Sequence, residues 1–88
     1  MRTIAIVVRS KDRIGVISEI VRVIAAMGLS IIESKARTYT NRKTSRPENE
    51  FRAILGCEDT AQEAELHSRL RRLRGCLAVS VVASGKAA

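Results

Sequence analysis

The fold is decided by the stretch TIAIVVRSKDRIGVISEIVRVIAAMGLS, which runs from Thr3 to Ser30. Its first part, Thr3–Arg9, is β-branched and almost entirely apolar, which is typical of a central strand. From Val16 the apolar residues change to the spacing of a helix, with Asp12 as the predicted N-cap. Gly28 stands where a helix commonly ends in the left-handed conformation. The stretch therefore predicts a strand, a helix and the start of a second strand.

The middle of the chain predicts two strands joined by a long loop. The second strand begins at Leu29 and runs to Thr40. Small residues in it alternate with charged or large ones, which indicates one sheltered face and one solvated face. Asn41–Asn49 contains several basic residues and a proline, and it predicts a long hairpin connection. Glu50–Cys57 returns as a third strand, with Phe51 on its core side.

The last third of the chain adds a second helix and a final strand. Thr60 and Glu63 have the spacing of a capping box at a helix start. A narrow stripe of leucines follows, and Gly75 is expected to end this helix. Cys76–Val82 then alternates apolar residues in the manner of a strand.

The predicted order β-α-β-β-α-β indicates an α+β fold of the ferredoxin-like type. Two right-handed crossovers then form a four-stranded antiparallel sheet in the order 4-1-3-2, with both helices on one face. We expect one domain over residues 1–83 and a flexible tail over residues 84–88. An apolar surplus on the first helix (Val16, Val23 and Met27) and two open sheet edges predict self-association.

Composition excludes several classes of protein. The chain has 88 residues, of which 45% are hydrophobic, so it is neither disordered nor long enough for two folded units. Charges interrupt every apolar run well before the roughly 18 residues that a membrane span needs. The start of the sequence resembles a strand more than a signal peptide, so we expect a cytoplasmic protein that does not enter a membrane.

The charge balance favours anionic partners. Sixteen basic residues face nine acidic ones, a net charge of +7 at pH 7. Two segments concentrate this charge, and they are either solvated faces or a surface for an anionic partner. Their members are Arg42, Lys43, Arg46, Arg69, Arg71, Arg72 and Arg74. The only aromatic residues are Tyr39 and Phe51, so we expect no sequence-specific binding of nucleic acid.

The sequence offers no arrangement of catalytic residues. His67 is predicted on the solvated side of the second helix, and the carboxylates are scattered. A closed zinc site needs about four clustered ligands, which the sequence does not supply. No Ser/His/Asp or Cys/His arrangement is visible at a loop. We therefore expect no enzyme activity, no metal and no cofactor. Cys57 and Cys76 are predicted to be buried free thiols, with a single disulfide between them as the alternative.

The segment around Gly15 is the most informative for function. A strand ends just before it and a helix begins just after it, so backbone N–H groups are expected to face outward there. Such a helix start readily binds carboxylates or phosphates. Tight packing of the strand against the helix is an alternative reason for the glycine.

Three stretches of the sequence resemble the ACT domain family. They are Asp12–Ile20 (DRIGVISEI), Ala25–Ile31 (AAMGLSI) and Leu70–Val79 (LRRLRGCLAV). The family's signature is Asp-Arg-Pro-Gly before the first helix and Gly-Ile-Asn-Ile at the second strand. The likeness covers about residues 3–82. It is similar in particular to the C-terminal ACT domain of stringent-response (p)ppGpp synthetase/hydrolases.

The resemblance implies a regulatory module that pairs side by side or back to back. Many members of the family bind an amino acid between the loop that opens helix one and the start of strand two. The corresponding positions in this sequence are Asp12, Arg13, Ile14, Gly15, Gly28, Leu29, Ser30 and Ile31. Two of them depart from the family's usual residues, because Ile14 replaces a proline and Ser30 replaces a side-chain amide.

Three functions are compatible with the sequence. The first is an ACT module that forms a homodimer or larger assembly, binds an amino acid or another small anionic metabolite, and controls a partner enzyme. The second is an ACT module used for assembly alone. The third is a basic ferredoxin-like domain that binds RNA.

Overall fold

The computed structural model describes residues 2–83. Its elements are β1 (Arg2–Lys11), α1 (Val16–Ala26), β2 (Ser30–Asn41), β3 (Arg46–Cys57), α2 (Ala61–Arg71) and β4 (Cys76–Ala83). This is the predicted β-α-β-β-α-β order. The tail predicted over residues 84–88 lies outside the described residues.

The four strands form one antiparallel sheet in the order β2-β3-β1-β4. The apolar strand β1 lies inside it, with Ile6 opposite Ala53 of β3 on one side and Val81 of β4 on the other. The predicted ferredoxin-like fold and strand order are confirmed. Neither β2 nor β4 has a second neighbouring strand within residues 2–83, so both are edges of the sheet.

One layer of aliphatic side chains joins the helices to the sheet. Its fully buried members come from β1 (Ile4, Ile6, Val8), β3 (Leu55), α1 (Ile20, Ile24) and α2 (Leu66, Leu70). Each such side chain contributes roughly 1.5–3 kcal/mol when it leaves water. Both helices have 11 residues, so neither helix of the described chain is long enough to cross a bilayer.

The apolar surplus of α1 lies at different residues from those predicted. Val16 is buried, and Val23 and Met27 are half-buried against the core, so none of the three is in excess. Val21, by contrast, is 37% exposed. The reason is that the face of α1 that packs on the sheet is centred on Ile20 and Ile24, and Val21 is one residue further around the helix.

The central hairpin is longer and its loop shorter than predicted. Strand β2 extends to Asn41 and β3 begins at Arg46, so only residues 42–45 form the turn, and most of the predicted loop Asn41–Asn49 is strand. Pro47 is tolerated because it lies one residue inside the start of β3, where it removes at most one ladder hydrogen bond. The prediction that one face of β2 is sheltered is also wrong. Residues 30–38 are exposed on both faces, because the helices do not extend over this edge strand.

The start of α2 does not use the predicted capping box. Thr60 makes no side-chain cap hydrogen bond. Instead Asp59 Oδ1 accepts from Ala61 N at 2.9 Å. Glu63 pairs with Arg2 of β1 at 2.8 Å, which fastens the helix to the sheet.

Candidate functional site

The loop Asp12–Gly15 joins β1 to the N-terminus of α1. Gly15 is the N-cap, with φ +84°, and no side chain caps the helix. The prediction that Asp12 is the N-cap of this helix is therefore wrong. Its Oδ1 accepts from Asn49 Nδ2 at 3.1 Å, and its backbone N–H donates to Pro47 O at 3.3 Å. These bonds hold Asp12 against β3, three residues before the cap position.

Gly15 is required by the backbone and not by close packing. A Cβ atom built on Gly15 would have no atom within 4 Å. The packing alternative is therefore wrong for this chain. A φ of +84° is one that residues with a side chain rarely adopt, and it directs the chain from β1 into α1. Open space is thus left in front of the helix N-terminus.

Arg13 fastens this loop to the rest of the fold. Its Nη1 and Nη2 donate to the two carboxylate oxygens of Glu19 at 2.9 and 2.8 Å, and its Nε donates to Arg74 O at 2.9 Å. The hydrogen bonds from Arg13 hold the pKa of Glu19 below its usual range. Because its guanidinium is engaged on three atoms, Arg13 positions the loop and is not free to hold a ligand.

The second predicted segment, Gly28–Ile31, connects α1 to β2. Gly28 has φ +72° and ends the helix as predicted. Leu29 belongs to the core, so its side chain cannot line an open site and that assignment is wrong. Ser30 is exposed, and Ile31 is 39% exposed.

The two predicted segments lie at opposite ends of α1. The loop at Asp12 follows Lys11, which is opposite Glu48 near the start of β3. Ser30 is opposite Gly56, near the end of β3. A helix of 11 residues separates them by about 16 Å along its axis. One chain therefore does not bring the two halves of the predicted site together.

Exposed apolar side chains occur in α1, in both of these segments and at the start of β2. Ile14 is 100% exposed, and Ile32, at the start of β2, is 51% exposed. Val21 and Ile31 lie between them in the sequence and are also exposed. We call Ile14, Val21, Ile31 and Ile32 the α1 stripe. If a second copy covered these aliphatic side chains, it would remove them from water, which favours pairing.

A buried carboxylate on the helix-free face of the sheet was not found from the sequence. Glu48 is 5% exposed and accepts from Arg9 Nε, Tyr39 Oη and Asn41 Nδ2 at 2.8–3.2 Å. The hydrogen bond from Tyr39 is the main cause that lowers the pKa of Glu48, and burial raises the pKa of Tyr39. The predicted loop concealed this group, because its partners become visible only when Glu48 is placed opposite Tyr39 in the hairpin.

The remaining helix-free face is also occupied by ion pairs. Glu50 accepts from Arg37 Nε at 2.9 Å and from Arg52 Nε at 3.0 Å. A groove with a volume of about 250 Å³ lies beside them, between Val7 and Lys35. No residue of either predicted ligand segment lines it, and its lining brings together no catalytic arrangement of side chains.

Both predicted basic segments lie at the end of the molecule that carries the loop Asp12–Gly15. Arg42 and Lys43 are in the hairpin turn, and Arg46 begins β3. In the second segment, Arg69 and Arg71 lie in the last turn of α2, and Arg72 and Arg74 follow it. Arg69 differs from the others because it pairs with Glu65, four residues earlier on the same helix, at 2.6 Å.

Comparisons with known proteins identify the fold. No protein-family model and no curated protein matches the sequence. Among solved structures, the ACT domain from GTP pyrophosphokinase of Chlorobium tepidum matches with a TM-score of 0.76 and 16% identity, over 92% of this chain and 97% of that one. A protein of unknown function from Galdieria sulphuraria matches with a TM-score of 0.76 and 18% identity, over 93% of this chain and 48% of that one.

A third match is an enzyme. It is a formyltetrahydrofolate deformylase from Pseudomonas putida, with a TM-score of 0.71 and 16% identity, over 92% of this chain and 28% of that one. The chain thus spans nearly all of the first of these three structures but less than half of the other two. At these identities the similarity establishes architecture, and it agrees with the residues that resemble the ACT signature. The chain has the fold of an ACT domain.

Proposed function

We propose that this chain is a regulatory module of the ACT type, which pairs with a second copy and binds a small anionic metabolite, such as an amino acid, between the copies. The observation that carries the proposal is the separation of the two predicted ligand segments. They lie at opposite ends of α1, and exposed apolar side chains of the α1 stripe occur in both segments and in the helix that separates them. Because the two segments of one chain are too far apart to hold one ligand, a site that uses both of them requires a second copy.

Two-fold symmetry explains how a dimer completes the site. If the α1 helices of two copies pack antiparallel, the N-terminus of each lies beside the C-terminus of the other. Helices in contact are about 8–10 Å apart, so Asp12–Gly15 of one copy comes next to Gly28–Ile31 of its partner. The α1 stripe is then covered, and the dimer has two equivalent sites.

The chemistry of such a site suits a carboxylate. In the first turn of α1, the N–H groups of Val16 and Glu19 donate to Arg13 O and Gly15 O. No side chain caps the helix, so other N–H groups of this turn are available at the positive end of its dipole. Gly15 leaves space for the ligand. The hydroxyl of Ser30 from the other copy would bind a second polar group.

The same fold occurs within longer enzymes, which supports a regulatory role. This chain spans 28% of the formyltetrahydrofolate deformylase and 17% of a homoserine dehydrogenase from Thiobacillus denitrificans, the latter with a TM-score of 0.68. We therefore propose that the module carries no catalytic activity of its own and controls a linked or partner enzyme through the metabolite that it binds.

Assembly without a ligand is the second candidate, and Arg13 favours it. In a ligand site one expects a guanidinium at such a loop to face the ligand, whereas here it is engaged by Glu19 and Arg74 O. On this alternative the loop is a structural corner, and only the α1 stripe matters. Pairing is common to both candidates, so ligand binding distinguishes them.

A thermal-shift screen of the twenty amino acids and of nucleotides, followed by a mixing experiment, tests the proposal. A ligand of the folded state raises the unfolding midpoint. Two variants, Gly15→Val and Ser30→Glu, each alter one half of every site, so each alone should lose binding in calorimetry. When they are mixed, half of the dimers contain both, and each of these has one site with two native halves. Binding should return at about a quarter of the native capacity.

The outcomes separate the candidates. Dimers that respond to no compound in the screen would support assembly alone. A ligand whose binding does not return on mixing, although the two variants exchange subunits, would place its site within one chain and contradict the split site. Unchanged affinity in both separate variants would place the site elsewhere on the molecule.

A further inference from the structure

The structure brings two basic segments that are distant in sequence to one end of the molecule. At this end, Lys11 N donates to Gly75 O at 2.9 Å, and Asp12 N donates to Pro47 O at 3.3 Å. The end of β1 therefore touches both the connection from α2 to β4 and the base of the β2–β3 hairpin. Lys11 lies between the two basic segments and links them.

Most of the basic side chains at this end have no acidic partner. Seven basic residues at this end form no ion pair with another residue of the range 2–83: Lys11, Arg42, Lys43, Arg46, Arg71, Arg72 and Arg74. We call these seven the basic end. The nearby carboxylates of Glu19 and Glu48 are occupied by Arg13 and Arg9, and Asp12 alone adds an unpaired negative charge.

At the opposite end of the sheet, three described carboxylates form no ion pair within residues 2–83. Glu33 lies early in β2, and Glu58 and Asp59 follow the end of β3, which is paired with the start of β1. Charge is therefore separated along the strands and not spread evenly over the surface. A domain that needed charge only for solubility would gain nothing from this separation, whereas a surface for an anionic partner needs it.

We infer that the basic end binds the sugar-phosphate backbone of a nucleic acid, independently of its base sequence. Five of the seven cations are arginines, whose planar fork fits phosphate oxygens. Protein interfaces instead have an apolar core. Of the large apolar side chains that are exposed in the described chain, Ile14 alone is near this end, while the others lie along α1, at the start of β2 or on β4.

The positions of the two aromatic residues explain the independence from base sequence. Phe51 is 3% exposed in the core. Tyr39 is half-buried, and its hydroxyl donates to Glu48. Neither Tyr39 nor Phe51 therefore offers a free ring to stack on a base, which is how proteins of this general shape read RNA. Binding rests on charge, and it does not require the dimer proposed above.

The test is fluorescence anisotropy with a labelled 20-nucleotide single-stranded RNA of mixed sequence, titrated at several salt concentrations. Binding through counterion release weakens with salt, and the slope of log K against log salt is about −0.7 for each cation engaged on a single strand. Engagement of five to seven cations predicts a slope of about −3.5 to −5. A scrambled RNA and a DNA of the same sequence should bind within a few-fold of the first.

Matched variants locate the surface. The doubles Arg42→Gln/Lys43→Gln and Arg72→Gln/Arg74→Gln each remove two unpaired cations from one of the two segments. Each should reduce the slope by about 1.4 and weaken binding about tenfold at low salt. The control Arg22→Gln/Lys35→Gln removes two exposed, unpaired cations elsewhere and should leave the slope unchanged.

Several results would overturn the inference. They are equal losses in the control and test doubles, dependence on only one of the two segments, a preference between RNA and DNA greater than tenfold, and equally tight binding of a 20-residue oligoglutamate. Equal losses in the control and test doubles would mean that binding depends only on net charge. Equally tight binding of oligoglutamate would indicate an acidic protein as the partner. Absence of binding at low salt would also contradict it.

Discussion

Gly15 shows how one residue can be required by its backbone alone. Its φ of +84° turns the chain from β1 into α1, and nothing lies within 4 Å of the position where a Cβ would stand. A side chain there is therefore strained although it meets no other atom. The sequence singled out this glycine, but the reasons it offered were a ligand site and close packing. It did not point to conformation, because φ cannot be deduced from neighbouring residue types alone.

Substitution of Gly15 tests whether its backbone conformation or its packing is what the fold requires. Gly15→Ala should lower the free energy of unfolding by about 1–2 kcal/mol, the cost of a left-handed conformation for a residue with a Cβ. Gly15→Asn should cost less, because asparagine tolerates this conformation. Urea unfolding of the two variants measures the difference. Equal losses for Ala and Asn, or no loss for Ala, would show that the positive φ is not what the fold requires.

Among the elements, the β2–β3 hairpin is where sequence and structure differ most. Periodicity predicted both helices and all four strands, since apolar spacing is a local property. The register of the hairpin is not local. It places Glu48 opposite Tyr39 and beside Arg9, residues that are 9 and 39 positions away in the sequence. A single sequence shows neither pairing, so the segment that carries Glu48 was predicted as loop.

The pKa shift of Glu48 makes the hairpin sensitive to acid. Hydrogen bonds from Tyr39, Asn41 and Arg9 lower its pKa in the folded chain below the usual value of about 4.3. A carboxylate with a lowered pKa stabilises the fold above its unfolded pKa, and this contribution is lost as pH falls through the folded pKa. The free energy of unfolding should therefore decline as pH drops below about 4.3.

The variant Glu48→Gln measures how much of this acid sensitivity comes from Glu48 and its hydrogen-bond donors. Glu48→Gln keeps the shape but cannot ionise, so its stability should decline less between pH 5 and pH 3 than that of the native chain. Urea titrations across this range provide the measurement. The pKa values of Glu19 and Glu50 are also lowered, so some decline should remain in the variant. If the free energy of unfolding declined equally in the variant and the native chain between pH 5 and pH 3, Glu48 would contribute nothing to the acid sensitivity.

At the scale of the whole molecule, topology decides what one chain can and cannot assemble. The predicted site residues are present, but a β-α-β crossover puts the loop before its helix at one end of the sheet and the loop after it at the other. The separation of the two segments follows from the predicted fold. The family signature alone does not show this separation, because the signature names residues and does not say which copy contributes them. The same topology collects the basic end, whose two segments are 25 or more residues apart in the sequence.

The most direct test measures the distance between the two halves of the proposed site in different copies. In a background with Cys57→Ala and Cys76→Ser, one preparation carries a spin label at Ile14→Cys and another carries one at Ile31→Cys. Each chain then holds one label, so dipolar coupling in the mixture reports only on distances between copies. Antiparallel packing of α1 predicts a distance of about 10–20 Å in the mixed sample. No coupling, or a distance beyond about 30 Å, would contradict a site completed by a second copy.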